Sequence, residues 1–161
     1  MVLDDAIATF LGQPLMCILA SSNAAARPAV GRGIGVSVSD DRQMLSVILS
    51  AWHYAALANA IEQSGRLAAT FVRPSDYVTY QFKGAATLRK AEPEDNVRAA
   101  IFISDATAAL SALGVPSGII PQWMTTRDAL VAQLAVAECY VQTPGPRAGM
   151  RAEQAGGSAA G

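Results

Sequence analysis

Three strand-like apolar runs follow one another between Leu15 and Leu49, and no gap between them is long enough to hold a crossover helix. The runs are Leu15–Ala20, Arg27–Val38 and Met44–Leu49, separated by Ser21-Ser-Asn-Ala-Ala-Ala26 and Ser39-Asp-Asp-Arg42. Parallel neighbours need a connection of about a dozen residues or more, so these strands pair antiparallel. The pattern recurs at Arg66–Val72 and Tyr77–Leu88, joined by Arg73-Pro-Ser-Asp76, with Pro and Asp where a turn favours them. A last strand is expected over Val131–Gln142. Helical patterns fall at residues 3–11, Trp52–Ser64 and Pro93–Leu113, and Thr125 or Thr126 is placed to cap a short helical turn through Arg127-Asp128. Ser50 stands where the second helix needs an N-cap and Gly65 where it needs a C-cap. The order defines an α+β chain, and six alternating strands suit a small antiparallel β-barrel with flanking helices.

At 161 residues the chain suits a single domain, here 1–147, followed by a low-complexity tail over 148–161 that reads as disordered. The composition excludes several functions. Lys plus Arg is 12, Asp plus Glu is 13, and the basic residues are scattered, so no nucleic-acid footprint is expected. No apolar run approaches the roughly 18–20 residues of a membrane span, and Met-Val-Leu-Asp-Asp lacks the basic start of a secretory signal. A cytoplasmic protein without membrane attachment is expected. With one histidine, His53, and two isolated cysteines, Cys17 and Cys139, no metal site is expected, and both thiols read as buried. Of the 52% hydrophobic residues many are alanines, and low charge with small apolar side chains points to surface covered by a second subunit.

In the second strand, Val30, Arg32, Ile34, Val36 and Val38 fall on one side, with Gly31, Gly33 and Gly35 on the other. A glycine face on a strand implies close approach by a backbone or a ligand. No helix start follows these glycines, so they do not form a phosphate loop. Neither a nucleophile elbow nor a Ser/His/Asp arrangement is visible, and catalytic residues stay unassigned. The carboxylates Asp4, Asp5, Glu92, Glu94 and Asp95 sit at helix starts, where the dipole favours them.

Three segments carry a resemblance. They are Arg27-Pro28 entering a strand, the block Leu45-Ser-Val-Ile-Leu-Ser-Ala-Trp52 leading through Asn59 to Phe71, and Arg73-Pro-Ser-Asp-Tyr-Val-Thr-Tyr-Gln-Phe-Lys-Gly84. In order and spacing, over residues 3–147, the chain resembles the flavin-binding split-barrel family of pyridoxamine 5′-phosphate oxidase, and Val141-Gln-Thr-Pro-Gly-Pro-Arg-Ala-Gly149 resembles a short motif of the same superfamily. The resemblance implies a homodimer of six-stranded split barrels with FMN in a groove at the interface. It also implies an oxidoreductase whose flavin performs the redox chemistry on a small-molecule substrate or electron donor. The flavin phosphate falls to the second strand and the helix start after the third, here Arg32, Ser50, Ala51, Trp52 and His53, while Gly33, with Gly31 and Gly35, lets the flat rings approach the sheet. Gln81 and Lys83 on the fifth strand and Gln142 and Thr143 at the end of the last complete the implied site. The family places basic residues in the first turns of that helix, where this chain has Ala56 and Leu57. Loss of that charge keeps open a non-enzymatic split barrel that binds haem, a deazaflavin or another small ligand, and also a purely structural dimerisation module.

Each of these residues has a plainer reading. His53 either meets a ligand or is an exposed first-turn histidine; Arg32 either faces a ligand or pairs with a carboxylate across a dimer. Trp52 either packs or walls a pocket, while Trp123 and Met124 read as packing. Gln81 and Lys83 either approach the flavin or form a solvated strand face with a bulge at Gly84. Residues 142–146 form either a lid or a simple strand exit.

Overall fold

In the computed structural model, which describes residues 1–152, helix α1 (Asp5–Leu11) leads into β1 (Met16–Ser22), β2 (Pro28–Val38) and β3 (Met44–Ser50). Helix α2 (Ala51–Ser64) precedes β4 (Arg66–Val72) and β5 (Thr79–Lys90). Helix α3 (Pro93–Ala112), a 3-10 turn (Ile120–Gln122) and β6 (Ala129–Val141) complete the order. The six strands close into an antiparallel barrel in the order β1-β2-β3-β6-β5-β4. The expected α+β barrel with flanking helices is the observed architecture.

Local chemistry explains the helix ends. The Asp4 carboxylate accepts the Ile7 amide at 2.7 Å and starts α1. Gly65 ends α2 at φ 62°, a left-handed conformation that a glycine adopts without Cβ strain. Glu92 and Asp95 form a reciprocal capping box on α3. Asp95 is buried, and Arg89 donates to it at 2.6 Å and Arg98 at 3.2 Å. The hydrogen bond from Arg89 is the main reason its carboxyl is held below the usual range.

Two apolar clusters divide the molecule. One fills the barrel and runs out beneath α1 and α2, with Leu19, Leu45, Leu57, Phe71, Phe82 and Leu134 all fully buried. Phe71 and Phe82 meet edge to face at 5.9 Å, and each contributes about 2–3 kcal/mol by burial. The other lies on the outside of the barrel, where Ala99 and Ala106 of α3 cover Ile34, Ile48 and Val131. The outer cluster reaches β1 at Met16 and β4 at Val72; beyond these, its described residues do not extend over β1, β4, β5 or the end of β6.

Several expectations need correction. The second strand does not keep one parity. A bulge between Gly33 and Gly35 shifts its register against β3. Val36 and Val38 therefore pack inward against the barrel core, while Ile34 turns out beneath α3. Tyr77 is not in the fifth strand: it takes φ 61° in the turn, which closes through Tyr77 N–H to Arg73 O at 2.9 Å. No helical turn forms at Arg127-Asp128; the Thr125 hydroxyl instead accepts the Arg127 amide at 3.2 Å, and the only 3-10 turn among the described residues precedes it. Residues 148–152, placed by the sequence reading in the tail, lie against β6: Gly149 N–H donates to Val141 O at 2.8 Å and Val141 N–H to Met150 O at 2.9 Å. Residues 153–161, where the rest of that expected tail falls, lie outside the described residues.

Candidate functional site on the outer barrel face

Strand register places the polar candidates. Arg32 pairs with Ile18, Ile18 with Thr70, Thr70 with Gln81 and Gln81 with Tyr140. These five residues form one row across five strands, facing outward. A second row beside it runs Val30, Ala20, Ala68, Lys83, Glu138. At about 4.8 Å per strand, Arg32 and Gln81 stand about 14 Å apart along the surface. The middle of the surface is apolar or small, with the cation Arg32 toward one end and Lys83 beside Glu138 toward the other. Ile18 and Val30 are 37% and 61% exposed, so this apolar strip is open among the described residues. It continues into a cleft of about 490 Å³ whose lining includes Ala20, Arg66, Ala68, Lys83 and Glu138.

At the Arg32 end, the loop before β6 and the start of α2 add a second cationic and aromatic group. The Arg32 guanidinium lies 5.1 Å from the Trp123 ring centroid, and Tyr54 donates its hydroxyl to Trp123 O at 3.4 Å. Tyr54 leaves helical geometry at φ −127°, ψ 44°, and its ring packs over Gly31. His53 touches Tyr54 edge to face at 5.8 Å and is otherwise exposed, as is Trp52. Arg127 stacks on Trp52 with its guanidinium carbon 3.2 Å from the ring centroid. Ser50 occupies the N-cap position, but its hydroxyl does not cap the helix; it donates to Arg127 O at 2.7 Å. The Ala51 amide donates to Asp128 O at 3.0 Å. The amides of Trp52 and His53 follow in the first turn, which has no intrahelical acceptors for them.

The glycine face is turned the other way from the sequence reading. A Cβ on Gly31 would meet the Tyr54 ring at 2.7 Å, and one on Gly33 would meet Cys17 Sγ at 2.6 Å. These glycines make room for barrel side chains, and Gly33 has no side-chain face toward the outer groove. Gln81 and Lys83 do share the outer surface with Arg32. Gln81 donates its amide to the Thr70 hydroxyl at 3.0 Å, and Lys83 Nζ lies 4.8 Å from the Tyr140 ring centroid. Gly84 does mark a bulge. Gln142 and Thr143 are held against the start of β5: Gln142 N–H donates to Thr79 O at 2.8 Å, and the Thr143 hydroxyl accepts the Thr79 amide at 2.9 Å. That is the strand-exit arrangement. Leu57 is fully buried, so its position offers nothing to a ligand, whereas Ala56 is exposed and uncharged.

Sequence reasoning missed Arg127, Tyr140, Glu138 and Arg151, and took Trp123 for packing alone. Arg127 follows Trp52 by 75 residues, and no local pattern announces the stack. Among the described residues no His/Cys/Asp/Glu group has metal-binding geometry. Burial pushes the Cys17 thiol far up, which leaves it inert as a nucleophile. No helix among the described residues is long and apolar enough to cross a membrane.

The fold is the split barrel of pyridoxamine 5′-phosphate oxidase-like proteins, and solved structures share it at low sequence identity. HupZ from Group A Streptococcus superposes with a TM-score of 0.56 at 15% identity, covering 92% of this chain and 100% of its own. A pyridoxamine 5′-phosphate oxidase-related, FMN-binding protein from Nostoc punctiforme gives 0.51 at 16% identity, covering 90% and 87%. HutZ, the haem storage protein from Vibrio cholerae, gives 0.50 at 16% identity, covering 88% and 95%. No protein-family model and no curated protein sequence matches the chain.

Proposed function

We propose that this chain is a cytoplasmic, homodimeric FMN-binding oxidoreductase whose flavin lies on the outer groove and is closed in by a second protomer. The observation that carries this reading is the pair of cross-strand rows. They offer a flat apolar strip, with Arg32 at one end and Gln81 and Lys83 at the other. A flavin mononucleotide needs that combination: an apolar surface for its ring system, donors for its ring edge and cations for its phosphate. Arg32 and the Trp52 and His53 amides hold the phosphate, and Arg127 brings the positive charge that Ala56 and Leu57 lack. Gln81 and Lys83 meet the ring edge. The bound flavin supplies hydride and electron transfer. The protein binds it, orients it and, once the second protomer covers the strip, excludes water.

FMN-binding character in the Nostoc protein supports the reading, as does the exposed strip of Ile18 and Val30. The absorption spectrum of protein purified from FMN-supplemented cells tests it. Flavin bands at about 370 and 450 nm, with FMN released on denaturation, are expected. A colourless protein with no FMN by mass overturns the reading.

One observation favours a second reading. HutZ is a haem storage protein of the same fold, and His53, the sole histidine, is exposed beside the groove. If haem is the ligand, added haemin gives a Soret band that His53→Ala abolishes.

A further inference from the structure

Lys83 and Glu138 are directly opposed on β5 and β6, both on the outer face. Opposite charges in that relation are each other's natural partners. They do not pair here. Among the described residues Lys83 has no ion pair, and its ammonium rests on the Tyr140 ring. Glu138 is taken by Arg151, whose guanidinium donates to it at 2.6 Å.

This exchange of partners is built by the backbone. At Gly84 the β5–β6 register slips, so that Lys83 faces Glu138 and Gly84 faces Val136. Ala137 and Glu138 both turn outward as a result. Only glycine fits at 84, because a Cβ there would stand 1.8 Å from Ala135 O. The chain then leaves β6, turns at Gly145 and Gly149 (φ 144° and 85°) and returns to bridge Tyr140 with Arg151. Arg151 reaches the Tyr140 ring at 5.9 Å as well as the carboxylate. A planar guanidinium matches a carboxylate better than an ammonium does, so Arg151 wins Glu138.

We propose that Arg151 is a positioning residue for the ligand groove. By occupying Glu138 it leaves the Lys83 ammonium unpaired in the cleft, where it meets an anionic or electron-rich edge of the bound ligand. For the identity of that ligand as FMN, the inference rests on the proposed function. The Arg151–Glu138 pair is half-exposed, and such pairs add little stability, so its effect lies in where the charges stand.

Lys83 and Lys90 are the only lysines, which makes the test direct. Trace acetylation of the full chain, read by mass spectrometry, gives the reactivity of Lys83 against Lys90 as internal reference. In Arg151→Ala, Lys83 falls onto Glu138, and pairing favours the protonated, unreactive amine. Its relative reactivity is expected to drop about threefold or more. Arg151→Ala combined with Glu138→Gln is expected to restore it. An unchanged ratio in Arg151→Ala, or a drop that Glu138→Gln does not reverse, overturns the inference. Added FMN is expected to protect Lys83 but not Lys90 in the unsubstituted protein. Failure of protection overturns the flavin reading alone, because the ratio in the variants is measured without ligand.

Discussion

Arg127 lies over the Trp52 ring, with its guanidinium carbon 3.2 Å from the ring centroid, and its own carbonyl accepts the Ser50 hydroxyl. A cation from the loop before β6 is thereby fixed beside the first turn of α2. A stacked guanidinium keeps its donors at the ring's edge while its face is occupied. Arg127→Ala is therefore expected to weaken FMN binding about tenfold, the effect of losing one charge-assisted hydrogen bond. Its effect on Tm is expected to be small, because the residue is exposed. Fluorescence titration beside a thermal melt separates the two.

The ion cluster at the start of α3 predicts a pH dependence of stability. Asp95 is buried, caps the Glu92 amide at 3.0 Å and receives Arg89 and Arg98. Its carboxyl titrates below the ordinary value because Arg89 hydrogen-bonds the charged form. A group depressed on folding contributes in full above the unfolded pKa of about 3.9, and the contribution fades as pH falls through the lower folded value. Asp95→Asn is expected to cost about 1–3 kcal/mol at pH 7. The gap between urea melts of the two proteins is expected to narrow as pH falls below about 3.9 and the wild-type carboxyl takes up its proton. A gap that stays constant as pH is lowered below that value would sink the assignment.

Gly84 is expected to be among the least replaceable residues of the barrel. A methyl group there meets the rigid backbone carbonyl of Ala135 at 1.8 Å, and the bulge has to open. Gly84→Ala is expected to lose at least about 2 kcal/mol, read from denaturant midpoints. Gly118→Ala, with open space around the new Cβ, is the control and is expected to change little.

The exposed strip of Ile18 and Val30 predicts the oligomeric state. Light scattering at micromolar concentration is expected to give twice the 16.7 kDa chain mass. Val30→Asp with Ile18→Glu buries charge in the proposed interface and is expected to return the monomer with an unchanged circular dichroism spectrum. A monomer in the unsubstituted protein would contradict the shared groove.

Much of this architecture was legible in the chain. Short gaps dictated antiparallel pairing, Gly65 ended α2, and Asp4 and Asp95 began their helices as helix-start carboxylates do. What escaped was non-local. The bulge at Gly33–Gly35 depends on how β2 meets Leu49 and Ile48, so a strict alternation put Val36 and Val38 on the wrong side. The glycines looked like a ligand face because Tyr54, which fills the space above Gly31, stands more than twenty residues away and leaves helical geometry to do so. Ser50 was read as a cap from its position, yet its hydroxyl is claimed by Arg127 O across the fold. The site shows the same limit: Arg32, Gln81 and Lys83 stand out as single residues, whereas the two adjacent rows that bring them together exist only through strand register.

The central claim is that FMN lies on those two rows, with Arg32 beneath its phosphate. Titration of FMN into the purified protein, followed by quenching of flavin fluorescence, tests it most directly when Arg32→Ala is run in parallel. Saturable binding with a Kd on the order of micromolar, weakened at least about tenfold in Arg32→Ala, is the predicted result. No quenching up to about a hundred times that concentration, or equal Kd values for the two proteins, would contradict the account.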